Sequence, residues 1–258
     1  MKTVRKPQIY IISAFLMVFW GCSTPQTTKT AQGELFKVDS TTVAEVDHEV
    51  DSIISIYQSS MQEEMSRVLV HSAMAMQKGT PEGLLNNFVA DLVLEQGQEL
   101  YQPDDEQPID FCLLNYGGLR TSLPEGPIQL SRVFELMPFE NEMVVVTLTP
   151  DKTWDLFEYL AASDVGMPVS GITLGIQDNK LADVRIQGER FDETRNYKII
   201  TSDYLAGGGD NMNFFLNPIE IEVLGRKIRD AIILHMQRQD QNGNMIRSQL
   251  DNRIYIIE

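Results

Sequence analysis

An α+β domain with mixed sheets is the fold class that this sequence predicts, on three observations. Short β-prone runs, such as Met143 to Leu148 and Tyr197 to Thr201, are interspersed with amphipathic stretches such as Leu84 to Val93. Their alternation lacks the steady strand–helix rhythm of a doubly wound sheet. Between residues 45 and 258 there is no internal repeat and no shift of composition that would mark a second domain.

The first residues read differently from the rest. Lys2, Arg5 and Lys6 precede an apolar run from Ile9 to Trp20, and Gly21-Cys22 follow. That is the layout of an export signal, too short and wrongly flanked for a retained membrane helix. Phe19-Trp20-Gly21-Cys22 resembles a bacterial lipoprotein box, which would make Cys22 the lipidated N-terminus once residues 1–21 are removed. A secretory signal with an incidental Cys22 is the alternative. Residues 22–44 are then a polar, flexible tether and residues 45–258 the folded body. The expected location is exported, lipid-anchored to a bacterial membrane and facing the periplasm.

Loss of residues 1–21 leaves 18 Lys and Arg against 37 Asp and Glu, a net charge of −19. Such a body is repelled by nucleic-acid backbones and anionic headgroups, which argues against a polymeric nucleic-acid partner. An anionic small ligand needs locally placed arginine or a metal. Besides Cys22 only Cys112 remains, so no intramolecular disulfide links the body, and its apolar neighbours make Cys112 an inert buried thiol.

Along the body, Val46, Val50, Ile53, Ile54, Tyr57, Met61 and Met65 recur at helical spacing within Ala44 to Ser66. Arg67 to Met76 alternates loosely and reads as extended. Thr80-Pro81-Glu82 predicts a helix start with Thr80 as N-cap, feeding the stripe Leu84, Leu85, Phe88, Val89, Leu92 and Val93. Tyr101 to Pro108 is an acidic loop and Phe111 to Leu114 a strand. Leu130 to Leu136 is a short helix, Met143 to Leu148 a strand, and Thr149-Pro150 caps a helix whose Trp154, Phe157, Leu160 and Ala161 line one face. Val169 to Ile176 and Leu181 to Ile186 are strands about an Asp178-Asn179 turn. Tyr197 to Thr201 is a buried strand, Leu224 to Gln239 a helix and Arg253 to Ile257 a closing strand.

Three turns carry the chemistry. Asn115-Tyr116-Gly117-Gly118-Leu119-Arg120 ends a strand with an amide, paired glycines and a guanidinium. Taken alone, it reads equally well as a β-turn that happens to carry Asn and Arg. Met137-Pro138-Phe139-Glu140-Asn141 offers Phe139 and Asn141, and Tyr204-Leu205-Ala206-Gly207-Gly208-Gly209-Asp210 offers Tyr204 and Asp210. Aromatics on two separate turns can clamp a flat ring, a contact of roughly 1–3 kcal/mol per stacked base. A carboxylate such as Asp210 can accept two hydrogen bonds from a vicinal diol, as with a ribose. A nucleoside fits this inventory, although stacked core aromatics and acidic turn caps are common.

The segments L-L-N-Y-G-G-L-R, M-P-F-E-N and Y-K-I-I-T-S-D-Y-L-A-G-G-G-D resemble the C-terminal, substrate-binding domain of the 5′-nucleotidase family, whose motifs run N-G-G-G-I-R, P-F-x-N and Y-x-V-x-x-x-x-[FY]-L-A-x-G-G-D in this order. P-E-G-L-L-N-N-F-V-A-D is similar to its E-S-x-L-G-N-L-I-A-D-A helix, and Val169-Ser170-Gly171-Ile172 to its Q-x-S-G-I strand. The resemblance covers most of residues 45–258. It implies a four-layer α/β/β/α domain in which Phe139 and Tyr204 stack on the base from opposite sides. It further implies that Asn115 bonds the base and that Arg120 and Asp210 hold the ribose, with Asn141 supporting the base pocket. Gly117, Gly118 and Gly207 to Gly209 admit the backbone, and Gly171 joins the substrate-binding positions. Tyr116 departs from a family glycine and narrows that corner. Tyr204 keeps the ring of the commoner Phe and adds a hydroxyl. Where the family carries arginine ahead of the first helix, His71 to Pro81 supplies only Lys78.

Complete family members have an N-terminal metallophosphatase domain with D-x-H, G-D, G-N-H-[DE] and G-H-x-H stretches holding two metals, which activate water. None of His48, His71 and His235 belongs to such a stretch, and no G-x-S-x-G or H-E-x-x-H occurs. The expectation is a chain with no catalytic residue and no cofactor of its own, inactive alone, with divalent metals only in a partner metallophosphatase subunit. It would be the nucleotide- or nucleoside-binding half of a split 5′-nucleotidase. A nucleoside-binding lipoprotein with no catalytic partner, and a relic that binds nothing, are the alternatives.

Overall fold

The computed structural model describes residues 48–257. The expected signal peptide, Cys22 and the tether of residues 22–44 lie outside the described residues. The chain divides into Met1–Asp51, of which only one helical turn is described, and Ser52–Glu258, which holds everything discussed below. No helix among the described residues is long and apolar enough to cross a membrane.

In chain order the elements are helix α1 (His48–Met65), strand β1 (Val68–Ser72), α2 (Leu84–Leu100), β2 (Phe111–Leu113), β3 (Gly126–Gln129), α3 (Leu130–Leu136), β4 (Glu142–Leu148) and α4 (Pro150–Ala161). Then come β5 (Val169–Ser170), β6 (Ile172–Gln177), β7 (Lys180–Ile186), β8 (Glu189–Arg190), β9 (Tyr197–Ser202), the single turn α5 (Asp203–Ala206), β10 (Glu220–Lys227), α6 (Ile228–Gln241) and β11 (Ile254–Ile256). A five-stranded sheet runs β10-β4-β9-β2-β5, a four-stranded sheet runs β11-β6-β7-β8, and β1 pairs with β3. Both larger sheets are mixed: β2 lies parallel to β9 and β11 parallel to β6, while their other neighbours are antiparallel. This is an α+β domain with mixed sheets, as predicted.

The pleat of β4 divides the core. Met143 and Val145 point into a cluster with Leu85, Phe88, Val89 and Leu92 of α2 and Ile228, Ala231 and Ile232 of α6. Val144, Val146 and Leu148 point the other way, onto Leu174 and Ile186 of the four-stranded sheet and Leu156, Phe157 and Leu160 of α4. Helices thus cover one face of the first sheet, while a second sheet and a helix cover the other. These are the components of the expected four-layer domain. A strand buried on both faces explains why β4 reads as an unbroken apolar run rather than an alternating one.

Four local expectations need correction. Helix α2 starts at Leu84 behind Gly83, not at Pro81, because Thr80 is engaged elsewhere: its Oγ1 accepts from the Gly166 amide at 3.1 Å. Leu224 lies in strand β10, which pairs with β4, so the last helix begins only at Ile228. Trp154 is exposed while Phe157, Leu160 and Ala161 of the same helix are buried, its ring packing on Phe191 at the domain's edge. Ile53, Ile54, Tyr57 and Met61 of α1 are likewise exposed, whereas Met65 packs against the core.

The run from Val169 to Ile176 is two strands in two sheets. Ser170 pairs with Cys112 in the first sheet, Ile172 pairs with Ile186 in the second, and Gly171 between them has φ of +85°. A side chain there would meet the Asp110 carbonyl oxygen at 2.8 Å and the Phe111 Cα at 3.2 Å. Glycine is required so that the chain can change sheets against β2.

Candidate functional site

The three turns converge. Each follows a strand or short helix packed in the first sheet's neighbourhood: β2 delivers Asn115 to Arg120, α3 delivers Phe139 and Asn141, and β9 with α5 delivers Tyr204 and Asp210. Asn115, Gly117, Gly118, Arg120, Phe139, Asn141, Tyr204 and Asp210 together line one cleft of about 320 Å³. That is within the size range of small-molecule sites. Gly171 is the one expected substrate-binding position that the structure does not bring there. It lines a separate cleft with Asp91, Gln187, Asp251 and Arg253, because its place is fixed by the crossing between sheets.

Local chemistry explains how each group is held. Ser202 caps α5, its Oγ accepting from the Leu205 amide at 3.2 Å, which sets the exit angle of the third turn. Gly208 and Asp210 both have positive φ, 86° and 52°. A Cβ on Gly209 would sit 2.5 Å from the Tyr204 ring, so glycine lets the chain fold back beneath that ring. As a result Asp210 returns to Tyr204: the phenol donates to Asp210 Oδ1 at 2.8 Å, and the Asp210 amide donates to the phenol oxygen at 3.3 Å. Asn115 Nδ2 donates to Asp210 Oδ2 at 2.6 Å, tying the first turn to the third across 95 residues. The Tyr159 hydroxyl donates to the Asp210 carbonyl at 3.1 Å.

The rings are presented rather than packed away. Phe139 is 40% and Tyr204 47% exposed. Burying such rings costs nothing in core packing and gains contact area when a flat ligand arrives. The carboxylate of Asp210 raises the Tyr204 phenol above its ordinary pKa by accepting its hydrogen bond, so this phenol is a donor at neutral pH.

The cations of the cleft are few. The Arg120 guanidinium makes one hydrogen bond, from Nη1 to the Gly117 carbonyl at 3.3 Å, and no ion pair among the described residues. Lys78 does not line the cleft but lies beside its first turn, donating to the Tyr116 carbonyl at 3.2 Å with its ammonium 3.9 Å from the Tyr116 ring centre. Partial burial and then the nearby Arg120 charge lower its pKa. Tyr116, the expected narrowing residue, is thus the platform on which Lys78 rests.

Sequence reasoning missed the supports. Arg229, buried on α6, directs Nη1 toward the carbonyls of Met137, Pro138 and Phe139 at 3.4 to 3.5 Å, and its Nη2 pairs with Glu140. Lys227 pairs with the other oxygen of Glu140. These two cations hold the Glu140 carboxyl down to about 2. Asp203 Oδ1 accepts from the amides of Glu142 and Tyr204 at 3.2 and 2.8 Å, joining the second turn to the third. All but the Tyr204 contact link segments far apart in the chain, and only Glu140, inside the P-F-E-N segment, had a neighbouring signal.

No group of three or more His, Cys, Asp or Glu among the described residues is placed to hold a metal ion. His235 is half-buried against Phe88 with Glu95 at 3.5 Å, and desolvation first of all lowers its pKa. The donor set of the described residues therefore does not fit a two-metal phosphatase centre.

Comparison with known proteins converges on one family. Residues 59–217 match the model for "5′-nucleotidase, C-terminal domain". The chain is 31% identical over 156 residues to Protein UshA of Escherichia coli K12, covering 55% of this chain and 28% of that protein. It is 26% identical over 170 residues to an apyrase of Tabanus yao, covering 58% and 31%. Among solved structures, the 5′-nucleotidase precursor of Thermus thermophilus superposes with a TM-score of 0.67 at 18% identity, over 82% of this chain and 43% of that one. The NAD nucleotidase of Haemophilus influenzae gives 0.61 at 16%, over 82% and 42%. The chain spans less than half the length of each.

Proposed function

Because the chain belongs to the 5′-nucleotidase C-terminal domain family, we propose that it binds the base and ribose of a nucleotide for hydrolysis by a separately encoded metallophosphatase chain. The convergence of Phe139, Tyr204, Asn115, Arg120 and Asp210 on one cleft carries this reading. The two exposed rings receive the base, with Asn115 and Asn141 at its edge. Asp210 accepts from the ribose hydroxyls, and Arg120 with Lys78 provides positive charge for the phosphate side. Phosphate-ester cleavage needs an activated water, which the partner's two metals supply when its site is loaded. The cleft's contribution is position: it presents the phosphate to that centre, and correct placement alone lowers a barrier substantially.

In the same proposal Cys22 carries a lipid that anchors the chain to a bacterial membrane, facing the periplasm. A partner chain of the metallophosphatase type is tested by mixing it with this chain and following AMP hydrolysis. The expected result is a rate gain over the metal chain alone that disappears with Asp210→Ala; no gain overturns the split enzyme. The sparse cationic rim favours a second reading, a nucleoside-binding lipoprotein without a catalytic partner. Calorimetry separates the two, since AMP then binds no tighter than adenosine.

A further inference from the structure

Both carboxylate oxygens of Asp210 already accept a hydrogen bond from within the protein. Oδ2 takes the Asn115 amide at 2.6 Å and Oδ1 takes the Tyr204 phenol at 2.8 Å. The phenol is held at that place twice over, because its oxygen also accepts the Asp210 amide. Asp210 itself is fixed in the left-handed region, and its carbonyl is pinned by Tyr159. An incoming diol therefore does not meet a carboxylate surrounded only by water. It meets one whose Oδ1 is engaged by a tethered donor, which competes at a far higher effective concentration than any solvent molecule.

We propose that the Tyr204 hydroxyl is the specificity-determining group at the sugar end of this cleft, holding Asp210 Oδ1 so that the cleft distinguishes ribo- from 2′-deoxyribonucleosides only weakly. This deepens the nucleoside-binding reading above and rests on it. A ribose offers two O–H donors to Asp210, and the one that reaches Oδ1 competes with the tethered phenol for that oxygen. A 2′-deoxyribose offers one, leaves the phenol where it is, and forgoes little. Removal of the hydroxyl frees Oδ1 and restores full value to the second sugar hydroxyl. The ring that stacks on the base is retained in Tyr204→Phe, so base recognition is untouched by the change.

The test is calorimetry of the full chain with adenosine and 2′-deoxyadenosine, in the wild type, Tyr204→Phe, Asp210→Asn and the double variant. The wild-type ratio of affinities should be close to one. In Tyr204→Phe it should rise about three- to tenfold in favour of adenosine, the usual value of one hydrogen bond. With Asp210→Asn present, Tyr204→Phe should no longer move the ratio, which ties the effect to this carboxylate. A second readout is the phenol itself: adenosine should lower the pH at which Tyr204 ionises, since its carboxylate partner is lost, whereas 2′-deoxyadenosine should not. Binding of adenosine with a ratio unchanged or lowered in Tyr204→Phe overturns the role of the hydroxyl while leaving the nucleoside reading in place. Failure of adenosine, guanosine, cytidine and uridine all to bind the wild type overturns both.

Discussion

Two polar clefts of this domain each contain an arginine, and the two arginines are in opposite states. Arg253 is buried, and all five of its N–H groups are spent: on Asp91 Oδ1 and Oδ2 at 2.6 and 3.1 Å, on Asp251 Oδ1 and Oδ2 at 2.9 and 2.8 Å, and on the Val169 carbonyl at 2.8 Å. The Arg120 guanidinium makes a single hydrogen bond, to its own turn. The first cleft is a clasp that ties the entry of β11 to α2 and β5, and its arginine has no donor left for a ligand. The second keeps a guanidinium and two aromatic faces turned to solvent. Polar lining and concavity are shared by both, so neither identifies a site. What separates them is whether the arginine has already found its partners and whether aromatic faces are left open beside it.

This contrast can be broken by mutation. Arg253→Met should cost about 2–3 kcal/mol of stability in urea unfolding. That is less than the 3–5 kcal/mol typical of a halved buried pair, because Asp91 and Asp251 are half-exposed and can rehydrate. Affinity for adenosine per folded molecule should be unchanged. A loss of affinity at unaltered stability would make the clasp a second ligand site. Phe139→Ala should do the reverse. The ring is 40% exposed, so unfolding should shift by no more than about 0.5 kcal/mol. Adenosine affinity should fall by about 1–2 kcal/mol, the value of one stacked ring. A mutant that binds normally but unfolds early would place Phe139 in the core instead.

The same distinction explains what was legible in the sequence. Strands β4 and β9 and helix α3 could be read because periodicity and β-branched runs report burial directly. The cleft could be read because glycines and prolines mark turns, and turns are where side chains remain uncommitted. Strand β10 was missed although Ile219, Ile221 and Val223 alternate with Glu220 and Glu222. It is an edge strand whose apolar side is exposed, so its alternation reports pairing with β4 rather than burial. Gly171 was misplaced for a related reason. Its positive φ serves a crossing between sheets, and a glycine in a sequence looks the same whether the backbone it frees approaches a ligand or another strand. Arg229 and Asp203 were invisible because their partners are backbone groups brought close only by the finished fold.

The smallest effect lies between the two extremes, at the support of Phe139. Glu140 is exposed, yet it is paired with Lys227 and Arg229 and its carboxyl is held at about 2. Its folded pKa is thus below the ordinary carboxylate value near 4.5. A depressed pKa contributes stability that is fully present above the unfolded value, declines as pH falls below it, and is gone once pH falls through the folded one. The anchor should therefore hold unchanged from neutral pH down to about 5, weaken between about 4.5 and 2, and vanish below. Glu140→Gln should be less stable than the wild type at pH 7, with the gap closing across that acid window. Because the pair is solvent-screened, the gap should also narrow in high salt. Adenosine affinity measured in parallel should follow the same pH course if Glu140 positions the Phe139 turn through Arg229. Were affinity instead flat between about pH 5 and 3 while the stability gap closes, Arg229's hold on the three carbonyls would suffice by itself, and Glu140 would belong with the spent charges of the clasp rather than with the cleft.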